Sequence, residues 1–160
     1  MSLRTIHNAS LHDVNREMSK MLREGSVNPS VRRLAETVIQ RGDTDDHVSS
    51  IFDFVRDTFP YTLDPNDAEL FIHPRKIAED YFSGRIRIGD CDDHALLVAS
   101  LLASIGYKTR IALMGVEGLE LDHAVAQVHL ETLGWTNIDS TSEKPLGWII
   151  RSWQNVYIEV

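Results

Sequence analysis

The chain has 160 residues, of which 42% are hydrophobic and 25% charged, and a formal net charge of −8. This composition is ordinary for a soluble globular protein, and the length suits a single domain with its own hydrophobic core. The negative charge and a pI near 5.3 argue against nucleic acid or an anionic membrane as the main partner.

Disulfide-dependent and membrane-inserted classes are also disfavoured. Cys91 is the only cysteine, so no internal disulfide can form and the fold does not need an oxidising compartment. The N-terminal segment lacks the apolar core of a signal peptide, and no apolar run is long enough to cross a bilayer. We therefore expect a cytoplasmic protein without a membrane partner.

Apolar residues at helical spacing predict three amphipathic helices in the N-terminal part of the chain. The first covers residues 10–24, with Gly25 as its stop. The second begins at Asn28-Pro29 and ends at Gly42. The boundaries expected for the third are Asp43 or Thr44 at its start and Pro60 after its end.

The segment Tyr61–Pro74 is the longest stretch without a helix or strand pattern, and Pro65 and Asn66 are typical turn residues. A loop of this length is uncommon unless it is functional, so it is a candidate wall of a substrate cleft. Pro74–Phe82 then predicts a short helix.

The rest of the chain is organised around the stretch Gly89–Gly106. Residues 95–105 are apolar except for two serines, which predicts a helix buried around most of its circumference. Asp90 is a suitable N-cap, Asp93 is spaced as a capping-box partner, and Gly106 is a left-handed stop.

Cys91 therefore occupies the first position of this helix. The free N–H groups and the helix dipole favour a thiolate there, and the thiolate is the nucleophilic form. The carboxylates of Asp90, Asp92 and Asp93 act in the opposite sense, so a catalytic thiolate would need a histidinium beside it. The alternative is a lone cysteine that serves as a small buried hydrophobe.

After this helix the apolar period changes from 3.6 to 2 residues, which predicts strands. Helices first and strands last are typical of an α+β domain with an antiparallel sheet. The predicted strands are Thr109–Met114, His123–Glu131 and Trp135–Thr141, with weaker candidates at Trp148–Ile150 and Val156–Val160.

His123 and Asp139 lie on strands joined by a short turn at residues 132–134, so we expect a hairpin. Each is eight residues from Glu131, which makes them cross-strand neighbours on one face if the turn is centred there. The carboxylate would orient the imidazole, and a helix presenting Cys91 would complete a nucleophile, base and orienter. A register slip of one residue would separate the pair. The opposite face carries the apolar residues Ala124, Ala126, Val128, Leu130 and Ile138.

Four segments together resemble the core of the transglutaminase-like superfamily. They are Gly-Asp-Cys-Asp-Asp before the apolar helix, Ile-Gly-Tyr-Lys-Thr-Arg entering a strand, Asp122-His123-Ala124, and Gly-Trp-Thr-Asn-Ile-Asp-Ser-Thr. The resemblance extends from Val48 to Thr141, and Phe54–Asp57 through Tyr61 resembles the helix that precedes the catalytic cysteine. The compact chain is most similar to microbial and phage-borne members, so association with a phage or prophage fits the expected location.

This resemblance implies a papain-like fold in which the cysteine-bearing helix packs on a C-terminal antiparallel sheet. It implies Cys91 as nucleophile, His123 as general base and acid, and Asp139 as orienter, without a cofactor. A single domain, 1–160, would then comprise an N-terminal helical portion (1–42), a transglutaminase-like core (43–141) and C-terminal strands (142–160).

Further site residues are expected around this triad. The oxyanion would be bound by the Cys91 backbone N–H and by one side-chain donor, for which Tyr61 is the candidate, although core packing is its alternative role. The family often shows His-Ala-Trp followed by an acidic residue, whereas Val125 and Gln127 stand here, which affects the substrate class rather than the triad. The candidate substrate-binding residues are Asp122, Gln127 and Trp135.

A metal site is not expected. Cys91 and His94 form a Cys-x-x-His pair, but zinc sites usually need a second well-spaced pair, and the sequence has none. The three aspartates around Cys91 could bind calcium if the loop after Asp64 supplied further oxygens. Capping of the helix explains them better.

The sequence thus predicts an enzyme whose cysteine attacks a peptide, isopeptide or side-chain amide bond of a protein or peptide and forms a thioester. Hydrolysis is favoured over cross-linking because no acceptor-amine site is identifiable in so short a chain. The alternative is a catalytically silent module of the same fold that serves assembly or protein binding, with its acidic surface facing a basic partner.

Overall fold

The computed structural model describes residues 3–7, 10–41, 46–64, 68–87 and 89–159. These ranges contain five helices and an antiparallel four-stranded sheet, which confirms the α+β class. The helices are α1 (Leu11–Ser26), α2 (Pro29–Arg41), α3 (His47–Thr58), α4 (Pro74–Phe82) and α5 (Cys91–Ser104). The strands are β1 (Leu3–His7), β2 (Ala68–Ile72), β3 (Thr109–Gly115), β4 (His123–Leu130), β5 (Gly134–Ile138) and β6 (Gln154–Glu159).

The cysteine-bearing helix α5 lies at the centre of the fold. It packs on the sheet, whose strand order is β5-β4-β3-β6, and contacts β4 most extensively. Helices α1, α2 and α3 also pack against it. Every residue from Asp93 to Leu102 is buried, as predicted, because a helix that is apolar around its circumference is stable only when surrounded by protein.

Both ends of α5 form as the sequence predicts. The Asp90 carboxylate accepts hydrogen bonds from the N–H groups of Asp92 and Asp93 at 3.1 and 3.4 Å, and so caps the helix just before Cys91. Gly106 has a φ of +102°, the left-handed conformation that commonly follows a helix.

The prediction that Gly25 stops the first helix is wrong. Helix α1 continues to Ser26, and Gly25 is buried within it. A Cβ atom at Gly25 would lie 2.5 Å from Ser100 Oγ and 3.0 Å from Ser100 Cβ. The close approach of α1 to α5, rather than a left-handed turn, therefore requires glycine at this position.

The third helix starts later than predicted. Helix α3 begins at His47, and the Asp46 carboxylate caps it by accepting hydrogen bonds of 3.1 Å from the N–H groups of Val48 and Ser49. The boundary and turn residues Gly42, Asp43, Thr44, Pro65 and Asn66 lie outside the described residues.

The segment Tyr61–Pro74 is not irregular throughout, which corrects the prediction. Strand β2 lies within it and pairs antiparallel with β1, so that Leu3 is opposite Ile72. Short strands whose partners are distant in sequence leave little local signal, because their stability comes from the pairing itself.

The weaker strand candidate Trp148–Ile150 is also wrong. The Gly147 N–H donates to the Asn137 carbonyl at 3.0 Å, and the Trp148 N–H donates to the Pro145 carbonyl at 3.1 Å. The chain therefore turns here instead of pairing. Residues 140–153, the crossover segment, connect β5 with β6 at the opposite edge of the sheet. Ile150 of this segment packs on Ala112, Met114 and Val125, on the sheet face that α5 does not cover.

The β4–β5 hairpin forms as predicted, but its register differs. Leu130 pairs with Gly134, so the turn is centred on Thr132, one residue later than expected. The left-handed Gly134, with φ of +67°, already begins β5. His123 and Asp139 are therefore diagonal rather than direct neighbours. The shift of two residues in pairing keeps both on one face, because side chains alternate with a period of two.

Candidate active site

Cys91 places its thiol beside the start of β4. The Ala124 backbone N–H hydrogen-bonds to the sulfur, and the Asp92 carboxylate lies 3.9 Å from Sγ. Burial raises the pKa of the Cys91 thiol above its ordinary value, and the charges of Asp92 and Asp90 raise it further. The acidic neighbours and burial thus outweigh the helix dipole, and the resting group is a neutral thiol.

His123 and Asp139 form a direct pair. Their Nε2 and Oδ2 atoms are 2.8 Å apart, and the side chains are 22% and 13% exposed. The other oxygen of Asp139 accepts hydrogen bonds from Thr141, at 3.0 Å from its N–H and 2.6 Å from its hydroxyl. Burial acts to raise the pKa of Asp139, but hydrogen bonds from His123 and Thr141 lower it overall.

The remaining ring nitrogen of His123, Nδ1, is the one available to a nucleophile, because Nε2 binds Asp139. The Cys91 sulfur contacts the backbone of Ala124, the residue that follows His123. Within the described ranges, however, no hydrogen bond joins this sulfur to the imidazole. The fold thus brings the thiol to the start of β4, where His123 lies, although the described residues show no direct hydrogen bond between the sulfur and the imidazole.

Tyr61 lies alongside the start of the same helix. The Thr62 N–H donates to the Gly89 carbonyl at 2.9 Å, and the Gly89 N–H donates to the Pro60 carbonyl at 3.3 Å. Burial raises the pKa of the Tyr61 phenol, and the charges of nearby carboxylates, among them Asp90, raise it further. The hydroxyl is therefore a protonated donor within electrostatic reach of the thiol.

His94 is a part of the site that sequence reasoning considered only as a metal ligand. Its Nδ1 lies 2.9 Å from Ser140 Oγ, and the two residues are 4% and 5% exposed. Burial lowers the pKa of His94, although the Pro60 carbonyl and Asp139 act in the opposite sense. The spacing of three residues from Cys91 was a usable signal, because residues i and i+3 share a helix face.

Asp93 anchors the start of α5 to strand β2 of the two-stranded sheet β1–β2. Its buried carboxyl accepts the Ile72 N–H at 2.8 Å, and the Asp90 N–H also hydrogen-bonds to it, as a capping-box partner should. Burial raises the pKa of Asp93 well above its usual value. A Cβ at Gly89 would lie 2.6 Å from the Asp93 Cβ, so glycine is required next to this anchor.

A cavity of about 660 Å³ opens beside the His123–Asp139 pair. It lies between the sheet face opposite α5, the turn after β3, and the crossover segment. Of the predicted substrate-binding residues, Asp122 lines this cavity, whereas Gln127 and Trp135 do not line it. Its other charged or aromatic lining residues include Glu117, Lys144, Trp148 and Arg151.

Gln127 and Trp135 instead form part of a side-chain network on the sheet. Gln127 accepts a hydrogen bond from Arg110 Nε at 2.7 Å and donates one to Asn137 at 2.7 Å. The Arg110 guanidinium also stacks 4.0 Å from the centroid of the Trp135 ring. Both residues share the face of His123, as predicted, but their contacts are with neighbouring strands.

No group of three or more His, Cys, Asp or Glu side chains in the described ranges is arranged to hold a metal ion. Among the same residues, no helix combines the length and hydrophobicity that crossing a membrane requires.

The family of the chain follows from its sequence as well as its fold. The sequence profile of the transglutaminase-like superfamily matches residues 32–140, a range that covers more than half of the chain and includes Cys91, His123 and Asp139. The chain belongs to the transglutaminase-like superfamily. No curated protein matches it.

Two solved structures share the fold. A protein of Cytophaga hutchinsonii, provisionally named a cysteine protease, is 17% identical with a TM-score of 0.53, over 92% of this chain and 53% of that chain. A protein of Parabacteroides distasonis ATCC 8503, provisionally named a protease, is 14% identical with a TM-score of 0.53, over 83% of this chain and 26% of that chain. The chain therefore spans about half the length of the first and about a quarter of the second.

Proposed function

We propose that this protein is a cysteine-dependent acyl-transfer enzyme that cleaves peptide, isopeptide or side-chain amide bonds with a Cys91–His123–Asp139 triad. The observation that carries the proposal is the 2.8 Å hydrogen bond between His123 Nε2 and Asp139 Oδ2. A carboxylate in this position fixes the orientation of the ring and stabilises the imidazolium that forms during catalysis. The thiol of the chain's only cysteine lies beside the same strand end.

The nucleophile starts as a thiol, because burial and the neighbouring carboxylates raise its pKa. As Sγ forms a bond to the carbonyl carbon of the substrate, Nδ1 of His123 accepts the thiol proton. The carbonyl oxygen becomes negative and accepts hydrogen bonds from the Cys91 N–H, at the positive end of α5, and from the Tyr61 hydroxyl.

Collapse of this intermediate breaks the C–N bond, and His123 gives its proton to the leaving amine, so that a thioester remains on Cys91. Water then attacks the thioester while His123 accepts a proton from it. The C–S bond breaks, the acid is released and the thiol is restored. We favour water over an amine as the acceptor, because no separate acceptor-amine site is recognisable among the described residues.

An activated ester, p-nitrophenyl acetate, tests this chemistry without knowledge of the natural substrate. Acetylation of Cys91 is followed by p-nitrophenolate release and intact mass, and hydrolysis of the thioester by intact mass after the reagent is removed. We expect His123→Ala and Asp139→Asn to slow both steps, the former by roughly 100-fold or more, since a general base contributes at least that much. His12→Ala, which removes an exposed histidine on α1, is the control and should react like the parent protein.

The same experiment addresses hydrolysis. With butylamine present, release of acetate rather than N-butylacetamide is expected. Predominant amide formation would replace the hydrolase assignment with an amine-transferase one, and rates unaffected by His123→Ala would reject the triad.

The raised pKa of Cys91 favours a second candidate function, a catalytically silent module that serves assembly or protein binding. In the described ranges the sulfur also lacks a hydrogen bond to His123. A silent module would keep any acetyl group on Cys91, and the His123→Ala and parent proteins would then react alike.

A further inference from the structure

Two cations without carboxylate partners line the cavity beside His123. Lys144 and Arg151 both come from the crossover segment. Lys144 Nζ lies 4.6 Å from the centroid of the Trp148 ring, which belongs to the same wall. Within the part of the chain that the structure describes, no carboxylate is within ion-pair distance of either cation. Both therefore remain available to an anionic ligand.

The carboxylates of the same cavity are mostly engaged. Asp122 accepts the N–H groups of Val116 and Glu117 at 2.7 and 3.1 Å, which holds the turn after β3. Asp139 binds His123. This leaves Glu117 as the lining carboxylate without such a bond among the described residues, against two available cations. Three carboxylates and two cations thus line the cavity, and its positive charge is confined to the wall formed by the crossover segment, which carries both Lys144 and Arg151.

The position of the thiol indicates which part of a substrate the cavity would receive. His123 and Asp139 line the cavity, whereas Cys91 is not among its described lining residues. During acyl transfer the acyl group is bonded to sulfur, while the leaving amine takes its proton from the imidazole. The cavity therefore lies on the side of the leaving amine.

We infer that the cavity binds the leaving-group side of the substrate and selects an amine that carries a carboxylate, such as an amino acid or a peptide with a free C-terminus. Lys144 and Arg151 bind the carboxylate, and Trp148 and Ile150 supply apolar contact. A volume of about 660 Å³ accommodates a ligand of this size. The assignment to the leaving group rests on the proposed function, whereas the preference for a carboxylate is a property of the cavity alone.

The preference can be measured as binding, in the Cys91→Ala protein, which performs no chemistry. The ligands are the dipeptide Ala-Ala and its C-terminal amide, which differ in the carboxylate, and the reporter is the NMR signal of the Trp148 indole N–H. We expect Ala-Ala to bind about three- to tenfold more tightly than its amide, since exposed ion pairs contribute only modestly to affinity.

Adding Lys144→Gln and Arg151→Gln together should abolish this preference. Lys20→Gln with Arg23→Gln, which removes two exposed cations of α1, is the matched control for net charge and should keep it.

Three results would overturn the inference: equal affinities for the acid and the amide, tighter binding of the cationic Ala-Lys-amide, or no shift of the Trp148 signal at millimolar ligand. These outcomes are separate from those of the ester assay. A carboxylate preference without thioester turnover would reject the proposed enzymatic activity but support the proposed binding site. Thioester turnover without the carboxylate preference would support the enzymatic activity but reject the binding site.

Discussion

His94 Nδ1 lies 2.9 Å from Ser140 Oγ, and this buried hydrogen bond joins the helix of Cys91 to the residue that follows Asp139. His94 is one turn along α5 from the thiol, so the bond helps to set the position of the Asp139 carboxylate relative to the Cys91 thiol. A buried contact of this kind, between residues outside the proposed triad, supports the geometry that the triad would need.

The first prediction concerns this bond. In Ser140→Ala the buried Nδ1 of His94 loses the hydroxyl to which it is hydrogen-bonded. A buried polar group left unsatisfied costs about 1–3 kcal/mol, and we expect a loss of that size in the free energy of urea unfolding. Ser142→Ala, in the partly exposed crossover segment, should change stability by less than about 0.5 kcal/mol. Equal effects of the two substitutions would show that the bond is not stabilising.

The second prediction concerns the ionisation of Cys91. Since burial and carboxylate charge raise the pKa of this thiol, its alkylation by iodoacetamide should be slow at neutral pH and increase mainly above about pH 8.5. Asp92→Asn removes one of the charges, lowers the pKa and should accelerate alkylation at neutral pH by roughly three- to tenfold.

The control for alkylation is Asp57→Asn, an exposed carboxylate on α3. Fast alkylation of the parent protein well below pH 8.5 would instead demonstrate a thiolate–imidazolium pair in the resting state.

The third prediction is a pH dependence of stability from Asp93. Burial raises the pKa of this carboxyl in the folded protein, so the folded state retains a proton that the unfolded chain releases. This contribution to stability is complete below the unfolded pKa and is lost as the pH rises through the folded pKa. Asp93→Asn keeps an oxygen acceptor for the Ile72 N–H without the charge, and should therefore be more stable than the parent at neutral pH.

Urea unfolding at several pH values measures this effect. The difference in stability between Asp93→Asn and the parent should shrink as the pH falls, whereas the difference for Asp57→Asn should show no such trend. An Asp93→Asn protein that is less stable than the parent at neutral pH would contradict the burial argument.

The fourth prediction concerns the contact between α1 and α5. Gly25→Ala would place a Cβ 2.5 Å from Ser100 Oγ, and overpacking of this kind costs about 1–3 kcal/mol. Adding Ser100→Ala removes the nearest atom and should restore part of the loss. Thermal unfolding measures both variants, and Gly118→Ala, where a Cβ meets nothing within 4 Å, is the control. If Gly25→Ala unfolded at the parent temperature, the close packing of the two helices would be refuted.

Much of the local structure was readable in the sequence, because it depends on neighbouring residues. The caps of α5 at Asp90 and Gly106 and the apolar run between them determine a buried helix with Cys91 at its first position. The alternation of side chains along β4 and β5 likewise predicts His123 and Asp139 on one face. The prediction holds although the observed register differs, because the pairing is shifted by two residues and side chains alternate with a period of two.

Contacts between residues distant in sequence were decided only by the tertiary structure. Pairing of β1 with β2, the Asp93–Ile72 bond and the His94–Ser140 bond leave no periodic signal, since each depends on how separate elements meet. The protonation state of Cys91 also depends on the tertiary structure. From the sequence, the helix dipole lowers the pKa of the thiol and the neighbouring carboxylates raise it. Burial in the folded chain is the largest cause that raises this pKa.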